Sequence, residues 1–393
     1  LILAHKITLD PNKDQEAHLL RACGTARFAY NWALEEWQRQ YEAGEKPNIL
    51  KLKVLWNKIR KERFPWSLEV TKCASNQAIL NLGKAFDSFF KKHSGYPKFK
   101  KRNVYDRFAL WNDQFSVKGC KIRIPKLGWV RMREALRFSG KILSAIVSRT
   151  ADKWFVSINV DTEATLQSSE NQTEAVGVDL GIKNLAVLST GEVVEGLKVS
   201  CKLVKKLARL SRSLSRKARG SANWNKAKVK LAKLYAKIKN MRRDSTHKFT
   251  TRLVRDFAII GIEDLSVKEM FENCPFARLL GDQAFAEIRR QLEYKCLMTG
   301  SILIVHDRYF PSSKTCSSCG FVLKELPLSV REWICPECGV VHDRDLNAAI
   351  NLKPTAVDFT VAACGAEGSG RKRERSTKPA ALNQELLHAP KSA

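Results

Sequence analysis

The chain of 393 residues carries 69 Lys+Arg against 40 Asp+Glu, a formal net charge of +29, with 44% hydrophobic and 9% aromatic residues. That is an ordinary globular interior under a very basic exterior, long enough for two or three domains of about 100–200 residues. The 20 Gly and 12 Pro are too few for a mostly disordered chain, and apolar runs such as Phe257–Ile262 fall far short of the roughly 18 residues of a membrane span. Leu1 to Lys6 turns charged at once, without the apolar core of a secretory signal, and the missing Met suggests a trimmed start. The excess charge argues for a polyanionic partner, nucleic acid ahead of an anionic membrane surface.

In chain order, His5–Asp10 reads as a strand, and Asp10-Pro11 opens a helix with Asp as cap and Pro in the first turn. Leu19, Cys23, Ala26, Tyr30, Ala33 and Trp37 recur at helical spacing and form one buried face. Further helices are expected near Ile49–Lys61 and Val70–Lys92, before Gly95-Tyr96-Pro97. From Arg107 to Asp161 the pattern turns to short strands: Gln114–Val117, Lys121–Ile124, Trp129–Arg133, Ile142–Arg149 and Trp154–Val160. This spacing suggests a small barrel, which the helices interrupt if His5–Asp10 joins it. In the last strand Trp154, Val156, Ile158 and Val160 should be buried, and Ser157 and Asn159 wetter.

Residues 162–174 read as a polar linker, followed by strands at Ala175–Asp179 and Asn184–Ser189. Residues 202–248 hold 17 Lys+Arg and only Asp244 as an acid, a basic helical hairpin broken near Gly220-Ser221, with Ala227, Leu231, Leu234 and Ile238 as its apolar seam. The lysines on the opposite face suit phosphate contact, or simple solvation. A strand at Phe257–Glu263, a helix near Asp282–Met298, a strand at Ile302–Val305 and a short helix at Leu346–Leu352 complete this half. Beyond Pro354 the tail is small, charged and expected to be disordered.

Seven of the eleven cysteines are scattered, and four form Cys316-Ser-Ser-Cys319, fifteen residues, Cys335-Pro-Glu-Cys338. That is zinc-ribbon spacing, implying a reducing compartment and a closed, structural four-thiolate site with no open position for water. Val176-Gly177-Val178-Asp179 and Ile260-Gly261-Ile262-Glu263 repeat one arrangement, an acid two residues after a glycine at the end of an apolar strand. The bare backbone there is expected to leave room for a large ligand beside the carboxylate. A third acid lies in His342-Asp343-Arg344-Asp345 at a helix start. Singly, Asp179 reads as a turn former, Glu263 as a strand-end charge and Asp345 as a helix cap. Together, three carboxylates are what two divalent ions need to hydrolyse a phosphodiester.

These motifs closely resemble TnpB, the OrfB protein of bacterial insertion sequences. The matching stretches are Gly177-Val-Asp179-Leu-Gly-Ile-Lys183-Asn184, Ile262-Glu263-Asp264-Leu265, Phe310 to Gly320 and Asp343-Arg-Asp345-Leu-Asn347-Ala-Ala-Ile-Asn351. Earlier, Arg27-Phe-Ala-Tyr30-Asn31-Trp32-Ala-Leu34, Ala85-Phe86, Phe89-Phe90 and Gly95-Tyr96-Pro97-Lys98-Phe99 match as well, so the resemblance covers about residues 1–352.

The resemblance implies a multi-domain α/β fold: a RuvC-like, RNase H-fold nuclease domain (175–311 and 340–353) with an inserted zinc ribbon (312–339). It also implies a wedge β-barrel (1–10 and 104–161) interrupted by a helical recognition lobe (11–103). Its catalytic triad falls on Asp179, Glu263 and Asp345, with Asp343 as the alternative third ligand. Mg²⁺ is then the catalytic ion, a pair in number by the two-metal scheme, and Zn²⁺ the structural one. Lys183 and Arg344 could steady a scissile phosphate or neutralise the acids. Arg289, Arg290 and Lys295 could line the channel or form a solvated helix face. Asn76 and Gln77 could read a flanking motif in the major groove, or be ordinary helix surface. The expected protein is a cytoplasmic, RNA-guided double-stranded DNA endonuclease, one monomer with one transposon-derived guide RNA and no membrane partner. Its rivals are a transposase acting without a guide and a guide-directed repressor that does not cut.

Overall fold

In the computed structural model the described residues fall into two units, one within 1–164 and the other within 165–375. The structure describes all residues except 103, 105, 163–173, 198–200, 267–269, 271–283, 328 and 354–393, and for Cys201 the backbone alone. Most of the expected linker and the whole expected tail therefore lie outside the described residues.

The first unit runs β1 (Ile2–Asp10), α1 (Lys13–Glu42), α2 (Ile49–Arg63), α3 (Lys72–Phe90), β2 (Arg107–Trp111), β3 (Ser116–Lys118), β4 (Lys121–Ile124), β5 (Gly128–Met132), β6 (Lys141–Thr150) and β7 (Lys153–Asp161). Its strands make one antiparallel sheet, ordered β2-β6-β7-β1-β5-β4-β3. β1 joins it between β7 and β5, so the three helices leave from the middle of the sheet and return to its edge. β2 is a strand that the hydropathy pattern did not delimit. The expected face of α1 is buried from Leu19 through Ala33, and Trp37 at its end stacks on Phe86 at 4.2 Å.

Two local expectations are corrected. The cap of α1 is Asn12, not Asp10: its side chain accepts from the Gln15 N–H while Gln15 reaches back to the Asn12 N–H, a reciprocal pair that satisfies two orphan donors. In β7 both faces are covered, because Ser157 and Asn159 are also buried, and Asn159 donates to the Ser144 hydroxyl on neighbouring β6 at 3.0 Å.

The second unit contains β8 (Ala175–Leu180), β9 (Ala186–Leu188), β10 (Val193–Val194), α4 (Cys201–Ser215), α5 (Ala222–Asp256), β11 (Ile259–Glu263), α6 (Phe285–Thr299), β12 (Ile302–His306), β13 (Glu332–Ile334), β14 (Val341–Asp343) and α7 (Arg344–Asn351). Five strands form a mixed sheet ordered β10-β9-β8-β11-β12, in which β8, β11 and β12 are parallel and β9 and β10 alternate in direction. Val176, Val178, Ile260 and Ile262 are fully buried in its core with Leu253, Ile288 and Leu292 of α5 and α6.

Ser221 caps α5, its hydroxyl accepting from the Trp224 N–H, where the hairpin was expected to break. Ala227, Leu234 and Ile238 are buried along the seam, whereas Leu231 is half-buried. α5 then continues to Asp256, and its last turns carry Phe249, Leu253 and Val254 into the core of the sheet. Among the described residues no helix is long and apolar enough to cross a membrane.

Candidate functional site

Alternation along β8 and β11 decides where the first two acids stand. Parallel register sets Gly177 opposite Gly261 and Val178 opposite Ile262, so Asp179 and Glu263 are the next residues on adjacent strands. The valines and isoleucines point into the core, and both acids emerge half-buried at the carboxyl ends of their strands. The third acid comes from α7. Asp343 is spent as its N-cap, accepting from the Leu346 N–H at 2.8 Å, and Asp345 stands in the first turn.

The electrostatics bring the three together. Burial, then the negative charges of Asp345 and Glu263, push the Asp179 carboxyl up to about 7 against the opposing pull of Arg344 and Arg331. Burial and neighbouring Asp264 raise Glu263 as well. Arg331 Nη1 lies 3.2 Å from the Asp345 carboxylate, and Arg344 donates to the Pro327 carbonyl at 2.9 Å. The three donors are hard oxygens of the kind Mg²⁺ selects, although among the described residues the group already gathered at metal-holding distance is the four cysteines and not these acids. A cavity of about 240 Å³ opens beside Glu263, walled in part by Leu265, Phe285, Arg289 and Arg290.

Gly177 overturns one expectation. The space beside it does not await a ligand: a side chain there would meet the backbone of α7 at Ala349 and of Leu352 and Lys353 just after it. The bare strand lets α7 cross β8 backbone to backbone, and that contact carries Asp345 to Asp179.

Cys316, Cys319, Cys335 and Cys338 gather with all four sulfurs within 4.8 Å of one another and could hold a metal. The Cys316–Cys338 and Cys319–Cys335 separations are both 3.6 Å. That is close to the edge of about 3.8 Å in a tetrahedron built on Zn–S bonds of about 2.3 Å, so the residues fit zinc. Burial opposes ionisation of the Cys316 thiol, but N–H groups of Cys319 and Ser318 and the His342 ring bring it down to about 5.

The remaining expected contacts are placed as follows. Lys183 is exposed just after β8. Arg289 pairs with Asp264 and Glu293, and Arg290 holds Glu287 with both nitrogens. Lys295 is neither channel lining nor solvated face: it is buried, donates to the His247 carbonyl and to the Thr250 and Thr251 hydroxyls, and burial pulls its ammonium down to about 8. Asn76 is buried too, which removes it from helix surface and groove reading alike. Gln77 accepts from Trp111 Nε1 at 2.8 Å and lines a small cavity with Asn81, Lys100 and Arg107.

The sequence reading missed Asn347 and Asn351, one turn apart on α7. Asn347 is 1% exposed, donates to the Thr315 carbonyl at 2.7 Å and accepts from the Ser317 N–H at 3.0 Å. Asn351 donates to the carbonyls of Ser312 and Thr315 at 2.8 and 2.7 Å. The two amides clamp the first metal knuckle to the helix of the third acid. Their signal was present in the sequence, as two amides four residues apart on a short helix that otherwise reads apolar and small.

The second unit is thus a mixed α/β domain with three converging acids beside a four-thiolate knuckle. Residues 155–274 match a family model, OrfB_IS605, described as "Probable transposase". Residues 285–352 match one described as "Cas12f1-like, TNB domain". Residues 1–46 match one described as "Helix-turn-helix domain", although here that segment is β1 followed by the single long helix α1. A protein of Streptomyces pristinaespiralis named "Putative RNA-guided DNA endonuclease" is 38% identical, covering 98% of this chain and 96% of the relative. "Putative RNA-guided DNA endonuclease InsQ" of Escherichia coli K12 is 34% identical over 92% and 94% of the two chains. A Cas12f1 chain, from its complex with sgRNA and target DNA, shares the fold at a TM-score of 0.54 and 15% identity, over 86% of this chain and 82% of its own. The chain belongs to the TnpB (OrfB) family of insertion-sequence proteins.

Proposed function

We propose that the chain is an RNA-guided double-stranded DNA endonuclease whose second unit is a RuvC-like nuclease domain of RNase H fold. Asp179, Glu263 and Asp345 are its catalytic acids. The strand order, third-second-first-fourth-fifth with the second strand antiparallel, supports the fold. The observation that carries the chemistry is placement: Asp179 and Glu263 follow paired positions on adjacent parallel strands and Asp345 stands in the first turn of α7, an arrangement in which burial, then the charges of Asp345 and Glu263, raise the Asp179 carboxyl. When bound, a pair of Mg²⁺ ions supplies an activated water and stabilises the leaving oxygen of an in-line displacement.

The protein's own part is placement and charge. The paired strands and α7 fix the three carboxylates, and Arg344 and Arg331 offset part of their mutual repulsion. Zn²⁺ on Cys316, Cys319, Cys335 and Cys338 is structural, holding the segment that leads into Asp345. The lysines and arginines of α4 and α5 grip phosphates, so base pairing with the guide, not the protein, reads most of the target. In this reading the first unit serves as wedge and recognition lobe, and one chain works with one transposon-derived RNA.

The test is plasmid cleavage by protein co-expressed with its native flanking DNA, on guide-matched targets beside randomised flanks, in Mg²⁺ or EDTA. The expected result is cutting that needs the matched target, a short flanking motif, Mg²⁺ and Asp179. The family model's own description favours one second reading, a transposase, and cutting indifferent to the guide would establish it. Matched plasmids bound but left whole would point to a repressor.

A further inference from the structure

His342 lies on β14 directly opposite Trp333 of β13 and is 7% exposed, its ring 4.8 Å from the indole. Its Nε2 stands 3.0 Å from the sulfur of Cys316. The following residue, Asp343, caps α7, and Asp345 is two further on. The same hairpin is tied to the helix at a second point, where the Arg344 N–H donates to the Arg331 carbonyl at 2.8 Å and the Arg331 side chain reaches Asp345.

We infer that His342 is a positioning residue that couples the metal knuckle to the third acid, its Nε2–H donating to the Cys316 thiolate from outside the coordination shell. The inference rests on the zinc reading of the four cysteines. Four thiolates around one dication leave two surplus negative charges, and an N–H aimed at one sulfur relieves part of that excess. A thiolate sulfur can only accept, so the proton must sit on Nε2. The ring is held in that orientation by Trp333. Zinc therefore fixes His342 through Cys316, and His342 fixes the strand from which α7 departs.

Two substitutions separate donor from ring. His342→Phe keeps a ring against Trp333 and removes the N–H, while His342→Gln keeps an N–H donor and removes the ring. Purified full-length proteins are loaded with one zinc equivalent, and metal release to a chromogenic chelator is followed. Outer-shell donors are worth about 10–100-fold in metal affinity. The expected result is release about 10–100-fold faster from His342→Phe, with His342→Gln within a few-fold of the parent. In cobalt-substituted His342→Phe the ligand-field bands should keep the position of a four-sulfur site.

Zinc release from His342→Phe at the parent rate would overturn the proposal, because packing alone would then account for the residue. So would cobalt bands that lose a nitrogen ligand, because His342 would then be in the coordination shell. A third readout reaches the acid: zinc-loaded His342→Phe should need several-fold more Mg²⁺ for half-maximal cleavage. An unchanged Mg²⁺ requirement would remove the coupling to Asp345. Zinc release is read without any nuclease assay, so failure of the endonuclease reading and failure of this one are distinguishable.

Discussion

The carbonyl oxygen of Ala349 occupies the space that a side chain on Gly177 would need. The third acid thus reaches the first through a backbone crossing, and no side chain mediates the approach. The Gly177→Ala substitution touches none of the acids, yet it should force α7 off β8. Overpacking a tight core contact costs about 1–3 kcal/mol, and this one, backbone against backbone, should lie at the upper end or beyond. Urea unfolding should show that loss, and target cleavage should fall with it. Parent-like stability would mean that the crossing is not close-packed in solution.

The raised Asp179 carboxyl makes metal-free stability depend on pH in a definite direction. A carboxyl held near 7 when folded, against 3.8 in its ordinary environment, binds its proton more tightly in the native state. Its contribution is fully present below about pH 4 and is lost as pH rises through 7. In Mg²⁺-free buffer without chelator, Asp179→Asn should therefore gain on the parent between pH 4 and pH 8, by on the order of 2–4 kcal/mol. Mg²⁺ should narrow that difference at pH 8 by stabilising the parent. Melting temperatures of both proteins across the range check the sign, and a gap independent of pH would contradict it.

Asn347 satisfies the half-buried Thr315 carbonyl and Ser317 N–H of the first knuckle at once. Asn347→Ala leaves the Ser317 N–H without that partner, while Asn351 still donates to the Thr315 carbonyl, at a cost of about 1–3 kcal/mol. Asn351→Ala removes the donor to Ser312 and Thr315, and should cost less because that residue is only half-buried and Asn347 still donates to the Thr315 carbonyl. Thermal melts of the zinc-loaded proteins should rank parent, Asn351→Ala and Asn347→Ala in falling order. A reversed order would show that the clamp closes from the other amide.

Arg331 pairs with Asp345 at 3.2 Å, where a divalent ion would compete for the same carboxylate. The pair is half-exposed, so its loss should change stability by no more than about 1 kcal/mol. Its effect should appear in metal binding instead. With the guanidinium gone, Arg331→Ala should reach half-maximal cleavage at about 2–5-fold less Mg²⁺, since a competing cation has been removed at an effective dielectric near 20. A higher Mg²⁺ requirement would show that Arg331 supports the site instead of competing for it.

What could be read in the sequence was local. Val176-Gly-Val-Asp179 and Ile260-Gly-Ile-Glu263 announce buried strands ending in acids, because alternation and β-branching are properties of a few neighbouring residues. The cysteine spacing announces the knuckle for the same reason, and the helix and strand limits shift by only a few residues. What could not be read was set by residues far away in the chain. Gly177 looked like space for a ligand until α7, some 170 residues later, filled it. Lys295 looked like channel lining until Thr250 and Thr251 of α5 enclosed its ammonium. Asn76 shares its helix pattern with exposed amides, and only the packing of α3 buries it. His342 reads only as the residue ahead of a helix start until the fold brings the Cys316 sulfur within 3.0 Å of its Nε2.

The order of parts along the chain sets what an incomplete copy can do. β8 is the first strand of its sheet and sits at its centre, whereas α7, which crosses it, is the final described element. The 17 lysines and arginines of residues 202–248 lie between them, long before Asp345. A reading frame cut short anywhere from residue 249 to residue 344 keeps that whole positive hairpin and lacks the last carboxylate. Truncation in that interval would thus remove the third acid while leaving the hairpin's whole positive charge in the chain.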